Sequence, residues 1–216
     1  MPNPAAILES LTLASRDSVW LAIAWHGITW AALLALAYGW RPSRRLAGLL
    51  LTTPLGSAAV VAFTHGNPFN EAVLGALTIV LAALAWRFDE APVSRARGPR
   101  ALAGALLVAF GLVYPHFLAG PRLASLVAAP TGLIPCPTLS LAIGFTLFAG
   151  GLGSRAWSFV LALAGLFYGL FGLVRLGVAL DAALVAGAAT LLATTVRARG
   201  TVGDTEALPP TLSSAR

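Results

Sequence analysis

The sequence predicts an all-α membrane protein: a bundle of about seven transmembrane helices, N-terminus out and C-terminus in. Three observations predict it. Hydrophobic residues make up 58% of the 216 residues and charged residues only 10%, where a soluble domain carries about a quarter. Mean hydropathy is +0.83, so the apolar surface exceeds what one soluble core hides, and lipid is the expected solvent. Seven apolar segments are separated by gaps that alternate between arginine-rich and arginine-poor.

Residues 1–18 form an arm before the first segment. Residues 5–14 are expected either as a brief interfacial helix, with Ile7, Leu8, Leu11 and Leu13 towards lipid, or as loosely ordered chain. The arm lacks the basic start of a cleaved signal peptide. The membrane domain is 19–196, and its segments are 19–40, 46–64, 72–88, 101–118, 137–152, 157–174 and 177–196. A span needs ~20 residues, within ~17–25. The fifth is short, so its leading edge is expected to be capped by protein. The sixth and seventh are nearly continuous and read as a hairpin or as one long helix. Residues 197–216 are polar, with Pro209-Pro210, and read as a disordered cytoplasmic tail.

Orientation comes from the arginines. Eleven of the fourteen fall in alternate gaps: 41–45, 87–100, the gap at Arg155, and the tail. Arg16, Arg122 and Arg175 fall on the other side. Cytoplasmic loops carry the basic excess, so an odd number of spans leaves the N-terminus outside. The formal charge of +6 is spread between apolar runs rather than along a reading helix, so the expected partner is the bilayer and not nucleic acid. Pro54 is expected to kink the second segment. Gly165 and Gly169 are spaced for close helix packing. Trp20, Trp40, Trp86 and Trp157 sit near segment ends, as an aromatic belt does; Trp25 and Trp30 lie deeper.

The uncommon polar residues fall in the outer half. His26 is seven residues into the first segment, ~10 Å deep at ~1.5 Å per residue. His65 closes the second, Glu71 opens the third, and His116 ends the fourth. Cys136 and Thr138 open the fifth, and Arg175 and Asp181 flank the last turn. His26, His65, Cys136, Thr138 and Asp181 are the candidate ligand-binding residues. His26, His65, His116 and Cys136 are a candidate metal set for zinc or copper. Against this, a histidine here also serves by bonding to a neighbouring helix or facing water. An unpaired charge at membrane depth costs roughly 2.5–3.5 kcal/mol, so Asp181 needs a partner, and Arg175 is the nearest in sequence for a structural ion pair.

Cys136 is the only cysteine, which excludes an intrachain disulfide and any Cys-x-x-Cys site. Pro137 suits a first helical position. That sets Cys136 near an N-cap, where free N–H groups favour a thiolate, hence a nucleophile or metal ligand. A small buried packing residue is the plainer alternative.

Pro135-Cys136-Pro137-Thr138 resembles the late-helix start of a family of uncharacterised bacterial multi-pass membrane proteins. Tyr114-Pro115, Asn67-Pro68 with Gly75 and Ala76, and Gly177-Val178 with Asp181 are similar to it as well. The resemblance covers roughly residues 20–195. In the family pattern a Gly-His pair follows the Tyr-Pro; here His116 directly follows Pro115, and Gly120 precedes Pro121. The resemblance implies a fold type and a site position, not a reaction.

Three functions are open to such a chain. The leading expectation is a non-catalytic membrane protein with an outer polar pocket for a small solute or metal ion. A second is a membrane-embedded thiol- or metal-dependent enzyme acting on a lipid or quinone through Cys136. A third is a structural or assembly subunit. Polar residues do not continue into the inner half, which favours binding over transport.

Overall fold

The computed structural model describes residues 3–117 and 125–203. Arg122, Gly120-Pro121, the last residue of the fourth segment and the tail from residue 204 lie outside them. Among the described residues the regular elements are all helices, with no strand and one isolated bridge between Ser43 and Pro92. The helices are α1 (Pro4–Asp17), α2 (Val19–Ala37), α3 (Arg44–Thr64), α4 (Pro68–Trp86), α5 (Pro99–Leu112), α6 (Ser125–Ala128), α7 (Pro135–Phe148), α8 (Arg155–Leu170) and α9 (Asp181–Gly203). A π turn, Phe171–Arg175, extends α8.

Local chemistry sets the starts. Asn67 accepts from the Asn70 N–H at 3.1 Å before Pro68. Ser43 accepts from Leu46 and Ser154 from Trp157, and proline opens α1, α4, α5 and α7. Such side chains take N–H groups that a helix leaves free, and a first-turn proline has none to lose. Inside α3, Pro54 cannot donate to the Leu50 carbonyl. The Thr53 hydroxyl donates to that oxygen instead, at 2.7 Å, and α3 continues to Thr64.

Four helices are long and apolar enough to cross a membrane: α2, α3, α4, and α8 with its π turn. α5 and α7 are apolar but 14 residues each, ~21 Å at ~1.5 Å per residue. The chain just ahead of α7, residues 129–134, folds inward. Ala129, Thr131, Leu133 and Ile134 are all buried. Irregular backbone at membrane depth is tolerated where protein covers it, which is the protein cap expected at the start of the fifth segment.

α5 and α7 pack backbone to backbone. A Cβ on Gly104 would lie 2.6 Å from the Phe148 nitrogen, and one on Gly144 2.7 Å from the Val108 nitrogen. Gly165 packs against Ala188, and Gly169 against Val185, so this glycine pair joins α8 to α9 within the bundle. The sixth and seventh segments are thus separate helices joined by a turn.

Several expectations are corrected. Trp157 is fully buried and donates to Thr146 at 3.1 Å while meeting Phe88 edge-on. It belongs to the core, whereas Trp20, Trp40 and Trp86 are exposed. Leu8 and Leu11 of α1 are partly buried against a core cluster that includes Ala14, Tyr114, Phe117 and Ile134, rather than turned wholly to lipid. α9 runs to Gly203, seven residues past the expected end at 196.

The two ends of the bundle differ in charge. At one, Arg44 pairs with Asp89 and Arg45 with Glu90. Arg95 covers Phe148, and Arg155 reaches the Thr195 carbonyl. The arginines of 41–45, 95–100 and 155 therefore share one end. The other end holds α1, His65, Asn70, Tyr114, Cys136 and Asp181.

Candidate functional site

Asp181 is the centre of the polar end. It opens α9 and is 1% exposed. The Tyr114 hydroxyl, just past the end of α5, donates to Oδ1 at 2.7 Å. The Cys136 thiol, in the first turn of α7, donates to Oδ2 at 3.3 Å. The π turn makes room for the carboxylate. Gly172 lies directly beneath Asp181, and a Cβ there would coincide with Oδ2. A π turn widens the helix by one residue and is frequent at functional sites.

A second pair adjoins the first. Cys136 Sγ is 3.9 Å from the Tyr168 carbonyl, and the Tyr168 hydroxyl donates to Asn70 Oδ1 at 3.1 Å. Asn70 and Pro135 line a cavity of ≈ 10 Å³ together with Ser10, His65 and Asn67, about room for one water. Ser10 and His65 also line an open groove of ≈ 270 Å³ beside α1, with Glu9. The groove and the cavity thus meet at the same two side chains. His65 stands 3.5 Å from Asp17, so the mouth carries two carboxylates.

The expected site residues divide. Cys136 and Asp181 come together. Thr138 is fully buried and shapes the entry to α7: its hydroxyl accepts from the Gly132 N–H at 2.8 Å and donates to the Ile134 carbonyl at 2.7 Å. His26 bonds across to α5, its Nε2 2.8 Å from the Leu112 carbonyl and its Nδ1 3.0 Å from Ala22 O. Leu112 O is one of the carbonyls a helix end leaves free, and Thr131 takes its neighbour Gly111 O at 2.7 Å. His116 packs edge-on against Phe117, and Phe117 stacks on Tyr114. His26, His65, His116 and Cys136 are therefore not gathered into one metal set, and no group of three metal-binding side chains of the His, Cys, Asp or Glu type occurs among the described residues.

Two readings of chemistry change. Arg175 is exposed, while Asp181 points inward to Tyr114 and Cys136, so the expected Arg175–Asp181 pair gives way to these two hydrogen bonds. α7 begins at Pro135, and Ile134 is its N-cap. Cys136 sits inside the first turn and acts as a donor. A thiolate in its place would set two negative charges 3.3 Å apart, a repulsion on the order of 5 kcal/mol at an effective dielectric of about 20.

Sequence reasoning missed Tyr114, Tyr168 and Asn70 as parts of the site. Tyr114 had a signal, a tyrosine at a Tyr-Pro helix end in the polar half; the other two had none. No protein-family model, no curated protein and no solved structure matches this chain.

Proposed function

We propose that the protein is a seven-span integral membrane protein, N-terminus outside, whose outer half binds a small cation, a proton or a metal ion, at Asp181. One observation carries the reading. A carboxylate 1% exposed is met by the Tyr114 hydroxyl and the Cys136 thiol, with no basic side chain in ion-pair range among the described residues. A negative charge at this depth whose hydrogen-bond partners are both neutral donors attracts a cation.

The surroundings support a small ligand. Asp181 itself is 1% exposed and lines neither the cavity nor the groove, an enclosure that favours an ion over an organic solute. Glu9 lines the groove and draws cations, and the arginines of 41–45, 95–100 and 155 are at the far end, with Arg16 and Arg175 on this one. Basic loops face the cytoplasm, so the mouth opens outward. The helix start at Cys136 is also the position implied by the family resemblance. Carboxylate, thiol and the Tyr168 carbonyl suit either a proton or a metal that accepts mixed oxygen and sulfur donors.

The structural reading has one observation in its favour. Both carboxylate oxygens already hold protein donors, and these tie α7 and the end of α5 to α9. Elemental analysis of protein purified without chelators separates the readings. Near-stoichiometric metal, lost in both Asp181→Asn and Cys136→Ala, identifies a metal ion. Metal-free protein with a titrating Asp181 carboxyl identifies the proton, and neither outcome leaves Asp181 as a structural tie.

A further inference from the structure

We propose that the loop Gly150–Gly153, with Arg44 and Arg100, binds a phosphate group, carried by the headgroup of an acidic phospholipid. The loop joins α7 to α8 at the arginine end, far from Asp181. It turns with φ of 65°, 82°, 53° and 69° at Gly150, Gly151, Leu152 and Gly153, a conformation glycine adopts without strain.

The glycines also admit guanidinium groups to the backbone. A Cβ on Gly153 would lie 2.7 Å from Arg44 Nη1, and one on Gly151 3.0 Å from Arg100 Nη2 and 3.1 Å from Ser158 Oγ. Arg44 has a carboxylate, Asp89, at 3.0 Å. Arg100 differs: its Nε is buried and has no hydrogen-bond partner among the described residues. A buried N–H of a charged group left without an acceptor marks a place for an anion or water. Arg100 is half-buried, Gly151 is buried and Gly153 is exposed, so the loop runs from the protein interior to its surface.

The chemistry selects the ligand. Two guanidinium groups around one loop suit the planar oxygen pairs of a phosphate. Arg95 and Arg97 are exposed and add positive charge, while the acceptor Asp89 is already held by Arg44. Basic pockets between membrane helices at the cytoplasmic face take acidic lipid headgroups. The lipid source rests on the membrane reading; phosphate recognition by Arg100 does not.

The test uses the full chain in detergent. Phosphatidylglycerol is expected to raise the melting temperature by roughly 2–4 °C or more, and phosphatidylcholine to leave it unchanged. Arg100→Gln is expected to weaken the phosphatidylglycerol effect about tenfold or more, and Arg87→Gln, exposed and outside the loop, to preserve it. Millimolar inorganic phosphate reproducing the rise, with the same loss in Arg100→Gln, assigns the site to free phosphate. If Arg100→Gln fails to fold, native mass spectrometry of the wild type decides: preferential retention of phosphatidylglycerol supports the site, and equal retention of both lipids overturns it. No rise with either phosphate source overturns it too. So does a variant that melts lower yet keeps the full lipid response, which would leave Arg100 only offsetting the carbonyl end of α7.

Discussion

At the scale of single residues, Asp181 and Gly172 depend on each other. A side chain at 172 would take the space of the carboxylate, so Gly172→Ala is expected to cost about 1–3 kcal/mol in denaturation of the detergent-solubilised protein. Gly75 has nothing within 4 Å of its Cβ position, and Gly75→Ala there is expected to gain up to about 1 kcal/mol through helix propensity. Cys136 offers a separate check. Because its thiol donates to Asp181 and is largely enclosed, a water-soluble maleimide is expected to label it more than about tenfold slower in folded than in unfolded protein. Equal rates would reopen the nucleophile reading. Sequence position alone placed Cys136 and Asp181 in the same half of the bundle. It could not give the inward turn of Asp181 away from Arg175, because the space over Gly172 and the donors Tyr114 and Cys136 come from distant parts of the chain.

At the scale of elements, the seven apolar segments were legible as helices α2, α3, α4, α5, α7, α8 and α9, because helices of an apolar bundle need near-continuous apolar runs; four of them are long and apolar enough to cross a membrane. Their ends were less legible. α5 stops at Leu112 because His26 and Thr131 take its last carbonyls, and α7 starts two residues earlier than the Pro137 reading. These are contacts between distant parts of the chain, which no local pattern reports. The α5–α7 join rests on Gly104 and Gly144, forty residues apart, and only the fold shows that they meet. Gly144→Ala would push a methyl against the Val108 backbone, 2.7 Å away, and is expected to lower stability by about 1–3 kcal/mol. His26→Phe leaves the Leu112 carbonyl buried without its donor, at an expected cost of about 1–3 kcal/mol.

At the scale of the whole molecule, charge divides the bundle. The arginines of 41–45, 95–100 and 155, with the partners Asp89 and Glu90, share one end, and the buried carboxylate, the groove and α1, with Arg16 and Arg175, share the other. This division was readable in the sequence from arginine spacing alone, since the gaps report which segment ends lie together. In a Cys136→Ala background, a membrane-impermeant maleimide added to intact cells is expected to label Glu9→Cys, and to label Ser94→Cys only after permeabilisation. The reverse pattern would invert the topology and put the Asp181 end of the bundle inside. The most direct test of the cation site is infrared difference spectroscopy of the purified protein across pH and with added metal ions, compared with Asp181→Asn. The account predicts a carboxyl or carboxylate band that changes with one of these cations and is absent from the variant. A spectrum identical in wild type and variant under every condition would contradict it and leave Asp181 a structural tie between helices.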